Sequence, residues 1–180
     1  NFGTPTELFI IPDHYVTRMF YSQGIPLESL GVPRRDGGEV ETDHRKIWHI
    51  FCENFSLFRG TPSGVWLLHA LGDAFGVNEI PDADNADRLF DFLSEKLDSP
   101  EFAPRTLFER FNIEVMSTTD AAQDSLAQHQ AMKDSGWTGN IVPCFRPDNV
   151  VNLDAPGWRT NIDALAAASG VDIIDYQTYI

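Results

Sequence analysis

Three adjacent residues near the amino terminus, Asp13, His14 and Tyr15, combine a carboxylate, an imidazole and a phenol directly after an apolar segment. Side chains of these types can accept, donate and relay protons, which is the work of general acid–base catalysis. Neighbouring residues on a turn often point in different directions, so an ordinary structural role for the trio stays open.

A second candidate, Arg146, ends an apolar segment and is followed by Pro147 and Asp148. An arginine at the carboxyl end of a strand presents a rigid fork of donors, which suits a substrate carboxylate held by two parallel hydrogen bonds. The alternative is a local ion pair between Arg146 and Asp148 or another nearby acid.

The familiar nucleotide-binding, nucleophile and metal motifs do not occur in the sequence, which has no GxGxxG, GxxxxGK[ST], HExxH, HxH or GxSxG. His44 and His49 share one predicted helix, but they do not have the i, i+4 spacing of a helical metal pair. His69 lies within an apolar helix, where a hydrogen-bonded core histidine is expected. The sequence therefore predicts no metal site in this chain.

The segments that must position these residues differ in their predicted secondary structure along the chain. The first stretch, to about residue 40, is rich in turns, with one helix predicted over residues 15–21. Apolar residues at spacings of three and four then predict helices over residues 43–58, 62–75 and 84–97, and a short helix over residues 105–111.

Beyond residue 112 the pattern becomes that of a βαβ unit. β-Branched residues predict a strand over residues 113–119, and Asp120 is the expected cap of a helix over residues 122–133. A second short apolar strand spans residues 140–145. Such strands are parallel, and their carboxyl ends emerge at the edge where α/β proteins bind ligands.

The composition excludes several classes of protein. The 180 residues carry a formal charge of −14, which opposes binding to nucleic acid and to an anionic membrane surface. No apolar segment is long enough for a spanning helix. Cys52 and Cys144 form no CxxC motif, so two buried, reduced thiols in a cytoplasmic protein are expected. The chain begins at Asn1 and ends within an apolar segment, as an internal fragment of a longer protein would.

Taken in this order, several motifs resemble the uronate isomerase (glucuronate isomerase) family, a divergent branch of the amidohydrolase superfamily of metal-dependent (β/α)8 barrels. The motifs are Asp13-His14-Tyr15 with Arg18; Trp66, His69 and Phe75-Gly76; Thr118-Thr119-Asp120 with Asp124-Ser125-Leu126 and His129; and Val142-Pro143 with Phe145-Arg146-Pro147-Asp148. The Thr-Thr-Asp and Arg-Pro-Asp blocks are the most specific, and the resemblance spans about residues 8–165.

The resemblance implies an α-rich α/β fold made of a helical insertion domain and part of a TIM barrel. Residues 1–112 would be the mainly helical insertion that follows the first barrel strand. Residues 113–180 would be a partial (β/α)8 segment with two parallel strands in a βαβ arrangement. After residue 171 the resemblance implies a helix, where residue propensity alone also allows a strand.

The family interconverts aldehyde and ketone forms of hexuronates: D-glucuronate with D-fructuronate, and D-galacturonate with D-tagaturonate. The resemblance implies catalytic roles for His14 and Tyr15, which would polarise the substrate or shuttle protons near C1 and C2. It implies substrate-binding roles for Arg146, Arg18 and Asp120, with Arg146 as the anchor for the carboxylate.

No cofactor is expected on this chain itself. The family's first barrel strand carries an HxH metal pair and its last strand an aspartate ligand, and neither is found in this sequence. The resemblance therefore implies a divalent, zinc-like metal in the longer parent enzyme, an aldose–ketose isomerase, and an inactive isolated chain. A homo-oligomer is compatible with the sequence.

Two other functions stay open at this point. A non-catalytic helical interaction domain derived from the family would account for the missing metal motif, and the acidic helix over residues 84–97 could face a basic partner. A metal-dependent hydrolase of the same superfamily is the other alternative, because a shared barrel does not determine the reaction.

Overall fold

The computed structural model describes residues 2–180, which form two compact units, residues 2–107 and Phe108–Ile180. The boundary between the units lies between Leu107 and Phe108, a few residues before the position suggested by the sequence. The assignment of the two parts of the chain to an insertion and to a barrel segment stays a prediction.

The first unit is helical, and polar caps mark where most of its helices begin. Side chains of Thr4, Asp13, Asp43 and Thr61 accept backbone N–H groups at the starts of the first four helices, which satisfies donors that have no partner inside a helix. The helices are α1 (Pro5–Phe9), α2 (His14–Ser22), α3 (His44–Glu53), α4 (Pro62–His69), α5 (Ala86–Asp98) and α6 (Pro104–Arg110), the last of which crosses the unit boundary.

The core of the first unit is built around aromatic side chains of α2, α3 and the turn that follows α3. Trp48 is fully buried, stacks on Phe51 at a ring distance of 5.1 Å and donates its indole N–H to the Ala86 carbonyl at 3.0 Å. Phe20 meets Phe58 edge-on at 5.3 Å. Helix α3 therefore buries the apolar stripe that its sequence spacing predicts.

Two long helices predicted in this unit are interrupted. The helix expected over residues 43–58 ends at Glu53, since the Asn54 side chain donates to the Ile50 carbonyl at 2.9 Å, and residues Phe55–Phe58 form a 3-10 turn. Of the helix expected over residues 62–75, only Pro62–His69 is α-helical, and the next turn, Ala70–Ala74, is π-helical. The short helix α1 was not predicted, because five residues are too few to show a helical period.

The second unit contains the predicted βαβ arrangement. Strand β1 (Met116–Ala121) and strand β2 (Ile141–Arg146) are parallel, with Met116 opposite Ile141 and Ala121 opposite Arg146. Helix α7 (Ala127–Asp134) connects them, and three helices follow: α8 (Asp148–Val151), α9 (Trp158–Ser169) and α10 (Tyr176–Tyr179).

Two predictions for this unit were wrong in detail. Asp120 lies within β1 rather than capping a helix, because the strand runs on to Ala121. Helix α7 starts only at Ala127, since Leu126 adopts a left-handed backbone with φ 54° and donates its N–H to Asp124. The segment after residue 171 forms a helix rather than a strand, as the resemblance implies: it is the single turn α10, capped by Asp175.

The two cysteines lie in different environments. Cys52 is buried in the first unit, and this burial raises the pKa of its thiol to about 12. Cys144 is exposed on β2, so the expectation of two buried thiols was wrong for this residue. Across residues 2–180, none of the helices has the length and apolar character needed to cross a membrane.

Candidate functional site

The Asp13, His14 and Tyr15 trio forms the start of helix α2. Asp13 is the cap of this helix, and its Oδ1 accepts the N–H of Tyr15 at 2.8 Å and of Val16 at 3.2 Å. His14 and Tyr15 are exposed, with ring centroids 4.3 Å apart. Asp13 thus holds the backbone, while the imidazole and the phenol are available to a ligand as a neighbouring pair of proton-transfer groups.

A groove begins at Tyr15 and follows one face of α2. Tyr15, Arg18, Met19 and Ser22 recur at helical spacing, so they line one side of it. The first turn of α4 supplies the other wall. The groove has a volume of about 910 Å³, and its remaining lining residues are Asp13, Thr61, Pro62, Ser63 and Trp66.

In the second unit, Asp120 belongs to a hydrogen-bonded network with Thr118 and His129. The Thr118 hydroxyl donates to Asp120 Oδ2 at 2.7 Å, and its Oγ1 lies 2.8 Å from His129 Nε2. A hydroxyl has one proton, so His129 Nε2 must be the donor in the second hydrogen bond. The side chains of His129 and Asp120 are only 11% and 15% exposed, and the network therefore fixes the carboxyl end of β1.

Arg146 forms an ion pair with Asp148, which was one of the two alternatives for this residue. Its Nε donates to Asp148 Oδ2 at 3.0 Å, which raises the pKa of the guanidinium and lowers that of the Asp148 carboxyl. The side chain of Arg146 is still 53% exposed. Within the described residues its two terminal nitrogens have no hydrogen-bond partner, so they can hold an incoming carboxylate while Nε stays on Asp148.

The strand register separates Asp120 from Arg146. Asp120 lies opposite Phe145, and Arg146 lies opposite Ala121. Successive side chains of a strand alternate between the two faces, so Asp120 and Arg146 lie on opposite faces of the sheet.

The site residues predicted from the sequence are divided between the two units. His14, Tyr15 and Arg18 belong to the first unit, and Asp120 and Arg146 belong to the second. Within the first unit, the groove brings Tyr15 and Arg18 together. The predicted site residues therefore form two separate sets, one in each unit.

Several residues of these arrangements were not predicted as site residues. Trp66 and Ser63 line the groove, and Thr118 and His129 hold Asp120. Only Trp66, Thr118 and His129 carried a signal, since they belong to the motifs of the resemblance. The groove and the contact between Thr118 and His129 join residues of different elements, which no local pattern reveals.

His69 was expected to be a core histidine, and this was wrong. Its side chain is 71% exposed, and its Nδ1 lies 2.8 Å from Asp73 Oδ2. Neighbouring apolar residues of α4 are exposed as well: Val65, Trp66 and Leu68. Helix α4 is apolar on more than one face, and within the first unit only part of it is covered.

The described residues contain no group of three or more His, Cys, Asp or Glu side chains that could hold a metal ion. The polar network at the end of β1 joins only one histidine and one carboxylate, His129 and Asp120, through the hydroxyl of Thr118. The donor set of this part of the molecule therefore does not fit a divalent metal.

Comparisons with known proteins agree with these motifs. A sequence model of the glucuronate isomerase family matches residues 1–180. The chain belongs to the glucuronate isomerase family. The uronate isomerase of Nostoc punctiforme is 56% identical over 180 residues, and that of Rhizobium meliloti is 51% identical over 179 residues. These alignments cover 100% and 99% of this chain but 38% of each relative, so the chain spans about two fifths of their length.

Solved structures of the family show the same fold. The crystal structure of glucuronate isomerase from Caulobacter crescentus matches with a TM-score of 0.91 and 41% identity, covering 99% of this chain and 37% of that one. The uronate isomerase of Thermotoga maritima matches with a TM-score of 0.78 and 25% identity, covering 92% of this chain and 35% of that one. The arrangement of helices and of the two parallel strands is therefore a family feature.

Proposed function

We propose that the protein containing this chain is an aldose–ketose isomerase that interconverts D-glucuronate with D-fructuronate and D-galacturonate with D-tagaturonate. The observation that carries the proposal is the family match over residues 1–180. The motifs at the start of α2 and at the ends of β1 and β2 support it, because they supply proton-transfer and carboxylate-binding groups.

The proposed reaction needs three things from the protein. A base must take the C2 proton, neighbouring groups must stabilise the enediolate oxygens, and the distal carboxylate must be held in place. We assign His14 and Tyr15 to the second task and to proton shuttling near C1 and C2. Their exposure leaves both side chains free to reach a sugar.

The hold on the substrate is assigned to Arg146, Arg18 and Asp120. Arg146 is the carboxylate anchor, since its terminal nitrogens stay available while Asp148 orients the guanidinium through Nε. Asp120 uses Oδ2 to accept from Thr118, and its Oδ1 would accept a substrate hydroxyl. Arg18 adds a second positive charge in the groove of the first unit.

The divalent, zinc-like metal implied by the resemblance is not assigned to this chain. Its described residues offer no fitting ligand group, and the roles given above to His14, Tyr15, Arg146, Arg18 and Asp120 are those of the chain's own side chains. The proposal also assigns no other cofactor to them.

The incomplete cover of the sheet supports the proposed partial barrel. Parallel sheets are normally covered on both faces, yet Val142 on one face and Phe145 on the other are 38% and 67% exposed. We therefore propose that residues 113–180 are a (β/α)8 segment that pairs with further strands, and that residues 1–112 are the helical insertion. A cytoplasmic enzyme that assembles as a homo-oligomer belongs to the same proposal.

The experiment is an isomerisation assay of two proteins: the 180-residue chain and the longer protein containing it. Each is incubated with D-glucuronate or D-galacturonate, and the ketose product is followed by NMR in D₂O. We expect turnover by the longer protein and none by the isolated chain at stoichiometric concentration. Clear turnover by the isolated chain would overturn its proposed inactivity, and a longer protein inactive on both uronates would overturn the function.

A further inference from the structure

Helix α8 follows the proposed carboxylate anchor, Arg146, and it is too short to be stable by itself. It contains four residues, Asp148–Val151. Isolated helices of fewer than about 12 residues are marginal in water. The carbonyl groups of α8 also need partners from outside, because the last four carbonyls of a helix have none within it. Residues of other elements must therefore decide where α8 lies.

Side chains of α9 and α10 supply these partners. Asn161 Nδ2 donates to the Asn149 carbonyl at 3.1 Å. The Val150 carbonyl accepts the indole N–H of Trp158 and, at 3.0 Å, the hydroxyl of Tyr179. Val150 itself is buried, so α8 is held by packing as well as by hydrogen bonds. Side chains from two other helices therefore fix the middle of α8.

Asp148 links α8 to Arg146. It is the first residue of α8, and its Oδ2 accepts Nε–H of Arg146 at 3.0 Å. The side chains of Arg146 and Asp148 are 53% and 65% exposed, and an exposed ion pair by itself holds two side chains only weakly. The direction of the guanidinium therefore depends on where the backbone places Asp148. Asn149, whose carbonyl is held by Asn161, is the next residue of that backbone.

The hydrogen bonds of Asn161 allow only one orientation of its amide. A carbonyl can only accept, so the NH₂ group must face Asn149, and Oδ1 then faces Gln123. Gln123 Nε2 donates to that oxygen at 3.3 Å, which leaves Gln123 Oε1 buried and without a hydrogen-bond partner among the described residues. Such an unpaired acceptor is costly, so Asn161 rather than Gln123 determines the arrangement. Asn161 thus joins the segment after β1 to α8, which follows β2.

We propose that Asn161 is a positioning residue for Arg146. It holds Asn149 and, through the adjacent Asp148, keeps the guanidinium in the direction in which its terminal nitrogens bind the substrate carboxylate. The carboxylate-binding role of Arg146 rests on the proposed function, whereas the contacts that hold the guanidinium lie within the second unit. Loss of the Asn161 amide should therefore loosen Arg146 and weaken substrate binding.

The first test measures the Nε–H of Arg146 in the 180-residue chain. Exchange of arginine Nε–H groups with water is followed by ¹⁵N NMR, and Arg146→Lys identifies the Arg146 resonance. Asn161→Ala should speed this exchange by about threefold or more, because the hydrogen bond to Asp148 opens more often. Arg159 is the internal control: its Nε lies 3.1 Å from Asp163 Oδ1 within α9, so its exchange should change only if α9 itself is weakened.

Two further variants test the amide donor specifically. Asn161→Asp keeps the shape and the acceptor but has no donor for the Asn149 carbonyl, so it should speed the exchange as Asn161→Ala does. Thr160→Ala, at the neighbouring exposed position of α9, should change the exchange by less than about twofold. Alanine is the best helix former, so neither alanine variant weakens α9 by propensity. ¹⁹F NMR of the chain labelled with 5-fluorotryptophan shows whether each variant stays folded, since Trp137 and Trp158 lie in the second unit.

The second test separates positioning from general weakening in the longer protein. Asn161→Ala should raise KM for D-glucuronate by about three- to tenfold and change kcat by less than about twofold, because the anchor acts on substrate binding. In an Arg146→Lys background the same substitution should raise KM by less than about twofold, since lysine has no planar fork for Asp148 to orient.

Three results would overturn the inference: unchanged exchange at Arg146 in either Asn161 variant, equal acceleration at Arg159, or equal rises of KM in the two backgrounds. These outcomes are distinct from a failure of the proposed function. If exchange at Arg146 responds alone and the longer protein isomerises no uronate, only the proposed reaction fails. If uronates are isomerised while the exchange does not respond, only the positioning role fails.

Discussion

Replacing Thr118 by valine tests the network that holds Asp120. Valine has nearly the shape of threonine, so Thr118→Val removes the hydroxyl with little change in packing. That hydroxyl lies 2.7 Å from Asp120 Oδ2 and 2.8 Å from His129 Nε2. The substitution therefore leaves a carboxylate and an imidazole without their shared partner.

The expected magnitude follows from the burial of these two groups. Each buried polar group left without a partner costs about 1–3 kcal/mol. Asp120 and His129 are 15% and 11% exposed, so water can replace only part of the lost hydrogen bonding. We expect Thr118→Val to lower the free energy of unfolding of the second unit by about 1–3 kcal/mol.

Thr119→Val is the matched control, because Thr119 is exposed and the same chemical change is made at the next position of β1. Valine favours strands at both positions, so propensity does not distinguish the two variants. The control should change the free energy of unfolding by less than about 0.5 kcal/mol.

Urea unfolding of the 5-fluorotryptophan-labelled chain measures each unit separately. Trp48 and Trp66 report the first unit, and Trp137 and Trp158 report the second. Thr118→Val should lower the urea midpoint of the second pair of resonances only. Equal midpoints for the two threonine variants would refute the argument that the hydroxyl stabilises this end of the strand.

Three further predictions concern the reaction, the acid stability and the packing. In the longer protein, Arg146→Lys should lower kcat/KM for D-glucuronate by about 10- to 100-fold, because lysine cannot offer two parallel donors; an unchanged kcat/KM would remove this residue from the site. A hydrogen bond from His49 lowers the pKa of Asp87, so the stabilisation by Asp87 is present above about pH 4 and is lost as the pH falls through the lowered pKa. Asp87→Asn should therefore reduce the fall of the first unit's urea midpoint between about pH 5 and pH 2, and an identical fall would contradict this role. A Cβ at Gly64 would overlap the Phe58 carbonyl, so Gly64→Ala should destabilise the first unit by about 1–3 kcal/mol in thermal unfolding, and a raised melting temperature would show that the backbone adapts.

Local interactions explain why much of the fold could be predicted from the sequence. Asp43 and the apolar spacing after it mark the start and the buried face of α3, because a cap and an i, i+4 stripe act within a few turns. The βαβ order was likewise visible, since β-branched segments flank a helical one. The interruptions at Asn54 and Leu126 were not predicted, because each depends on a single local feature: a side-chain hydrogen bond at Asn54 and a left-handed backbone at Leu126.

The sequence by itself determined the family, through scattered motifs at the start of α2 and at the ends of β1 and β2. It also determined that Arg146 would end a strand beside Asp148. The sequence could not determine which atoms of Arg146 and Asp148 would pair. In the structure only Nε of Arg146 donates to Asp148, and the two terminal nitrogens do not.

Only the tertiary structure decided which distant residues share a site. The register placed Asp120 and Arg146 on opposite faces of the sheet, and the packing of α4 beside α2 brought Trp66 to the groove that contains Arg18. The physical reason is the range of the interactions: caps and helical periods depend on neighbours in sequence, whereas register, burial and shared cavities depend on how separate elements pack.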